Sequence, residues 1–435
     1  MVRFVDLSLS LLLLTVGARA APVEACDGEY EEPISTSILA TSSSSTLTVS
    51  ASTAAAKVQA VTAAVATANA VSGTTGGASG TPVGFALSAG VTGGGDATPA
   101  EPADAAELKT WLEDDVARVI IISKEYNFIG TEGTCEDCDG CIPDSYTCDA
   151  GQLAIAVIGW CDPYPAKKIT YDNAGMSSIE VKANKSLIGT GSGAVIRGKG
   201  LRIVNGAENI IIQNVHFTEI NPQFIWGGDA IILDGTDKIW IDHCKFSLVG
   251  RQMFVTGYEA SGRVTLSYNE FDGNTDWSAS CDGRHYWAFL GLGDDDLITL
   301  YGNYFHHTSG RTPKLGNKAT YHALNNYWYS NTGHAFDVSE GSDVLIEGNV
   351  FEDVKTPLMA SDHPGLIFVP ESSTTGSCTE SLERACVSNT LTSSGTLVGT
   401  DTGFLSNFTG YSVPDALEST GVKAFVLANA GVGKL

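Results

Sequence analysis

From Lys185 onward, short segments alternating β-branched with smaller or polar residues end in one recurring punctuation: an asparagine, one residue, then an aromatic ring. The pattern reads Leu266-x-x-Asn269-x-Phe271, Leu300-x-x-Asn303-x-Phe305, Leu324-x-Asn326-x-Trp328 and Ile346-x-x-Asn349-x-Phe351. Successive asparagines are 34, 23 and 23 residues apart, and Ile211–Phe217 and Ile239–Phe246 are looser copies upstream. Short strands at a period near 23, with asparagine at each turn, predict a parallel β-helix. Each coil buries its inward side chains on the next, and the turn asparagines stack as a hydrogen-bonded ladder. A flat sandwich would carry Asn-Gly hairpin signals, and these are scarce. Helices are expected to be minor, with Ala105–Ala117 the best candidate.

The first 80 residues follow another logic. Arg3, the apolar run Leu7–Val16 and the small-residue site Ala18-Arg19-Ala20 predict a secretory signal over 1–20, and its apolar core is too short to span a bilayer. Residues 21–80, rich in Ser, Thr and Ala, predict a disordered low-complexity extension, with an Ala-rich helix over 54–70 as the alternative. Residues 81–435 then form the globular unit. The mature chain is therefore expected to be secreted, extracellular and not a membrane protein.

Charge narrows the partners. The net charge of −25 becomes −26 once residues 1–20, with Arg3, Arg19 and Asp6, are removed. Such a field repels nucleic acid and anionic membranes. It also repels an ionised polyuronate, unless calcium bridges the two or the carboxyls are masked. Ten cysteines in an exported chain predict disulfides. Asn184-Lys-Ser186 and Asn407-Phe-Thr409 are candidate glycosylation sites.

Asp229 and Arg251 are 22 residues apart, close to one coil, which stacks them on one outward face. Arg311 follows two or three coils later, after an insertion around Asp272–Gly293 placed to form a cleft wall. Trp226, Tyr286 and Trp287 near this line suit stacking on sugar faces.

The motifs Trp226-Gly-Gly-Asp229-Ala-Ile, Ile239-Trp240-Ile-Asp-His243, Gly250-Arg251-Gln252, His285-Tyr-Trp287 and Ser309-Gly-Arg311-x-Pro313-Lys314 resemble those of the pectin lyases within the pectate/pectin lyase superfamily. The resemblance covers about residues 81–435. It implies an all-β, right-handed parallel β-helix whose long loops form a substrate groove, cleaving methyl-esterified galacturonan inside the chain by β-elimination. It implies Arg311, Arg251 and Asp229 as catalytic groups, and Trp226 and Trp287 as groove aromatics. Tyr286, Trp160, Arg284 and Lys314 complete the candidate substrate-binding set. Disulfides Cys141–Cys161, Cys148–Cys281 and Cys378–Cys386 are implied too, leaving Cys26, Cys135, Cys138 and Cys244 unassigned, with Cys135–Cys138 a simple option. Methyl-esterified pectin is the expected partner of a monomer.

Calcium-dependent pectate lyases are also similar, but they carry acids downstream of the Trp-Ile-Asp-His motif, where Gly250–Val255 has none, and a second arginine where this chain has Gly316. No metal and no calcium are therefore expected. The turn Asp294-Asp-Asp296 is read as a solvated loop. In the expected chemistry Arg251 stabilises the developing enolate and Asp229 orients Arg251 or the sugar. Arg311 takes the proton. Because a guanidinium is ordinarily protonated, Lys314 and a water or hydroxide stand as alternative bases. His243, Lys185, His285 and His334 are read as buried hydrogen-bonding residues. The rival functions are a calcium-requiring pectate lyase, a hydrolase needing two facing carboxylates, and a non-catalytic wall-binding solenoid.

Overall fold

A computed structural model describes residues 77–157 and 159–435. The predicted signal segment (1–20) and residues 21–76, with Cys26, lie outside the described residues. Each coil contributes strands in turn to three parallel sheets. The first stacks Arg118–Ile122, Lys185–Gly189, Glu208–Gln213, Asp237–Asp242, Arg263–Ser267, Asp296–Tyr301, Ala319–Leu324, Ser342–Glu347 and Leu366–Phe368. The second runs from Glu125–Asn127 to Thr390–Thr392. The third stacks Ile179–Glu180, Leu201–Val204, Ile231–Asp234, Phe254–Thr256, Phe289–Gly291 and Lys314–Leu315. The long strand Tyr327–Val338 passes through both the second and the third.

Register explains the period seen in the sequence. Ile210, Ile239, Val264, Ile298, Tyr321 and Val344 stand directly above one another along the first sheet, all buried. The aromatics after the asparagines stack along the second sheet. Neighbouring rings from Phe217 through Phe246, Phe271, Phe305 and Trp328 to Phe351 lie 4.4–5.6 Å apart. Between these sheets, the side-chain amide of Asn269 donates to Asn303, Asn303 to Asn326, and Asn326 to Asn349, at 2.9–3.1 Å. Asn349 continues the ladder to Asn389 at 3.0 Å. The sequence reading missed that rung because an insertion lengthens the spacing and Asn389 is followed by Thr-Leu instead of an aromatic.

Cys244 occupies the turn position one coil before Asn269, and its backbone N–H donates to the Asn269 side chain at 2.9 Å. It is a reduced, buried thiol, and burial pushes its pKa up to about 12. Disulfides join Cys141 to Cys161, Cys148 to Cys281, Cys378 to Cys386 and Cys135 to Cys138. The sequon asparagines Asn184 and Asn407 are exposed. The Asn407 amide nitrogen donates to Thr320 and Asp343.

Four features differ from expectation. The first predicted helix is shorter, Ala105–Glu113, started by an Asp104 side chain that accepts the Glu107 N–H at 2.9 Å. Helices Gly84–Ala89 and Ser419–Asn429 were not anticipated; both are amphipathic covers whose apolar faces lie on the solenoid.

The fourth is Asp296, which is fully buried and not part of a solvated loop. One carboxyl oxygen accepts from the Ser261 N–H at 2.5 Å and the other has no hydrogen-bond partner. Burial raises its pKa to about 7. A raised acid pKa means that the folded state holds the proton more tightly than the unfolded one. The resulting stability is complete below the ordinary carboxylate pKa and is lost as pH rises through about 7. Asp296→Asn is therefore expected to flatten the fall in Tm between pH 5 and pH 8; an unchanged slope would assign that fall to other groups.

Candidate active site

Four consecutive strands of the third sheet, Ile231–Asp234, Phe254–Thr256, Phe289–Gly291 and Lys314–Leu315, are paired in parallel. Asp229, Arg251, Trp287 and Arg311 each sit two or three residues before one of them. The ladder continues back into these segments. The Arg251 N–H donates to the Gly228 carbonyl (3.0 Å), Met253 N–H to Trp287 (3.2 Å), and Phe289 N–H to Arg311 (2.9 Å). The four side chains thus rise from one edge, one per coil. Arg311 stands two coils beyond Arg251, about 9–10 Å at the usual strand spacing.

Asp229 and Arg251 form a two-pronged pair, Nε to Oδ1 at 2.9 Å and Nη2 to Oδ2 at 2.7 Å. The Gln252 backbone N–H donates to the same Oδ1 at 2.8 Å. The Asp229 side chain is 5% exposed and Arg251 20%. The guanidinium lies over the Trp226 ring, 4.1 Å from its centroid, so it is fixed from below by an aromatic face and from the side by a carboxylate. Beneath it, buried His285 Nε2 donates to the Arg251 backbone carbonyl at 2.8 Å. Burial lowers the His285 pKa to about 4, keeping the ring neutral above that pH.

The Arg311 guanidinium lies 4.9 Å from the Trp287 ring centroid and 5.7 Å from that of Tyr286. Its backbone is left-handed, with φ of 45°, unusual for a non-glycine residue. Gly310 lets it stand there: a Cβ at that position would come within 2.4 Å of the Tyr286 ring. The Tyr286 pKa is raised by burial, with the charge of Arg311 acting in the opposite direction.

The remaining predicted residues divide. Trp160 packs edge-on to Trp226 at 6.1 Å and against Tyr164 at 5.0 Å, extending an aromatic wall along the groove. Trp287 is steadied by its indole N–H, which donates to Gln152 at 3.1 Å. Lys314 is engaged in an ion pair with Asp337 on the next coil, 2.9 Å away, which weakens its standing as the base. Arg284 donates to the Ser330 hydroxyl at 2.9 Å and to the Ser330 carbonyl, so it ties the wall of the cleft to the next coil.

His243 lies at the asparagine-ladder turn, bonded to Asp242 at 2.6 Å and stacked on Tyr268. Lys185 caps helix Ala105–Glu113 through the carbonyls of Asp114 and Val116. Sequence reasoning missed Gln152; it read His285 and His334 as hydrogen-bonding residues, which they are, but did not show that each one contacts a groove arginine. Gln152 is 135 residues from Trp287, and no local signal connects them. His334 did leave a signal, standing 23 residues, one coil, after Arg311.

A parallel β-helix with cations and aromatics along one sheet edge is the architecture of polysaccharide lyases, and comparison with known proteins agrees. The family model described as pectate lyase matches residues 150–435. A probable pectin lyase F of Aspergillus flavus is 61% identical over 359 residues, covering 82% of this chain and 83% of that one. Pectin lyase B of Emericella nidulans is 49% identical over 356 residues, covering 81% and 93%. The chain belongs to the pectate lyase family, among the pectin lyases. In fold it resembles the pectate lyase of Bacillus sp. N165 solved with trigalacturonate, at TM-score 0.54 and 20% identity, covering 81% of this chain and 99% of that one.

Proposed function

We propose that this protein is a secreted, monomeric pectin lyase that cleaves methyl-esterified galacturonan within the chain by β-elimination and without calcium. The observation that carries this reading is the Asp229–Arg251 pair: the acid nearest the reacting line is already bonded in two-pronged fashion to a fixed cation. A carboxylate so engaged is a poor metal ligand, and the guanidinium supplies positive charge where a metal would otherwise be needed.

The chemistry follows from the substrate. A base removes the proton on C5, the carbon beside the ester. The electron pair forms the C4=C5 double bond, and the glycosidic oxygen leaves C4 and takes a proton from solvent. With a free carboxylate the intermediate would carry a second negative charge. A methyl ester is neutral and accepts the electron density, so fixed donors suffice. Arg251 faces the developing enolate, Asp229 fixes its orientation, and the proton passes to a hydroxide held by Arg311 or to Arg311 itself in its deprotonated form. Trp226, Trp160, Tyr286 and Trp287 offer flat faces for sugar rings and for the ester methyls.

Among the described residues one group of three metal-capable side chains occurs, Glu270, Asp272 and His306. The Lys245 ammonium lies 2.9 Å from both carboxylates, so the cluster already has its cation. Disulfides support an oxidising compartment, and no described helix is long and apolar enough to cross a membrane.

The deciding assay uses highly esterified and unesterified galacturonan, with and without chelator, read by the ultraviolet absorbance of the unsaturated product. Activity on the esterified polymer that survives the chelator is expected. An enzyme that stops when divalent ions are stripped and recovers on their return would refute the calcium-free reading, and cleavage without absorbance would indicate hydrolysis.

A further inference from the structure

Each groove arginine is held from behind by a histidine, buried at His285 and half-buried at His334, and the two hydrogen bonds run in opposite directions. His285 donates to the carbonyl of Arg251, whereas His334 Nε2 accepts the backbone N–H of Arg311 at 3.1 Å. A ring nitrogen that accepts carries no proton, so the His334–Arg311 bond exists only while the imidazole is neutral. We infer that neutral His334 is the positioning residue that holds Arg311 in its left-handed, groove-facing conformation, and that protonating His334 releases it.

The local architecture is built around this contact. A bulge between Asn331 and His334 breaks the register of Tyr327–Val338 against its neighbour Val350–Leu358. Gly333 makes room: a Cβ there would come within 1.7 Å of the Ser309 carbonyl oxygen. The Thr312 N–H donates to the Ala335 carbonyl at 3.1 Å, and Asn331 donates to Thr312 Oγ1 at 2.9 Å and to the His334 carbonyl at 3.1 Å. These bonds fix Thr312 and the backbone of His334, and the imidazole takes the Arg311 N–H.

The groups facing the ring are the edge-on Tyr286 at 5.9 Å, Arg311, Lys314 and Asp337. Burial lowers the His334 pKa most; Asp337 opposes this, and the charges of Arg311 and Lys314 add to it, giving about 4. Below that pH the ring carries an N–H toward another N–H, and the bond is replaced by repulsion.

The inference rests on the lyase reading, in which Arg311 acts at the reacting carbon, and the test separates the two. His334→Phe keeps an aromatic ring against Tyr286 without an acceptor. It is expected to lower kcat about 10- to 100-fold with KM changed less than 3-fold. His334→Gln offers an amide oxygen at similar reach that does not titrate; it is expected to retain most of kcat and to lose one proton's steepness from the acid limb of the kcat/KM profile. Wild-type kcat in His334→Phe, or an acid limb in His334→Gln identical to wild type, would overturn the positioning role. Arg311→Lys is assayed alongside: if it is fully active the lyase assignment of Arg311 fails, whereas an inactive Arg311→Lys beside a normal His334→Phe defeats this inference alone.

Discussion

Arg251→Ala is expected to reduce kcat on esterified galacturonan by about 10²–10³, the typical cost of removing one donor from a developing oxyanion. A stability cost should accompany it. Asp229 is almost fully buried and would keep the Gln252 N–H but lose both guanidinium contacts, and stranding a buried charge is expensive. Arg251→Lys separates the two effects. It keeps a cation near Asp229, so Tm should largely recover. The flat fork that bonds Asp229 while lying over Trp226 is lost, so most of the activity should not. If Arg251→Lys regains wild-type kcat, charge alone would suffice and the fork geometry would have no role.

The second large effect is expected at Arg311. Arg311→Lys keeps the charge, yet should lower kcat by about 10²–10⁴, the range for a positioned proton-transfer group. Lysine cannot lie flat over Trp287 and Tyr286 while pointing into the groove, and arginine and lysine are not equivalent where a planar group is stacked. The substitution lies on the groove surface, so the fold should be spared. The measurement is kcat and KM with Tm as control. A variant of normal Tm with full turnover would remove Arg311 from the reaction. The neighbouring Lys314 supplies a contrast: because it is paired with Asp337, Lys314→Met is expected to act more through KM than through kcat.

Legibility in the sequence followed the range over which each feature is determined. The coil period was readable because each rung repeats the same local demands: alternating inward apolar residues, an asparagine that completes the turn, a ring for the stack. Asn389 was lost where an insertion stretched the period, and Cys244 where a different side chain filled a ladder position. Asp229 and Arg251 could be placed together because one coil separates them. The same arithmetic places His334 behind Arg311, although a lone histidine in a strand gives no hint of its hydrogen-bond direction.

Asp296 was misread for a complementary reason. Glycine-flanked acids ordinarily face water, and only the packing of Ser261 and the neighbouring coil encloses this one.

By itself, then, the chain of residues determined the solenoid, its asparagine and aromatic ladders, and which cations and rings belong to one face, since a repeating fold turns sequence distance directly into height along its axis. Tertiary structure alone decided what the polar groups outside that ladder are bonded to. It gave Lys314 and Arg284 partners on the next coil, bound Asp229 to Arg251, buried Asp296, and set the two histidines behind the arginines with opposite polarity. Hydrogen-bond direction and burial depend on atoms brought together from distant coils and loops, and no local pattern encodes them.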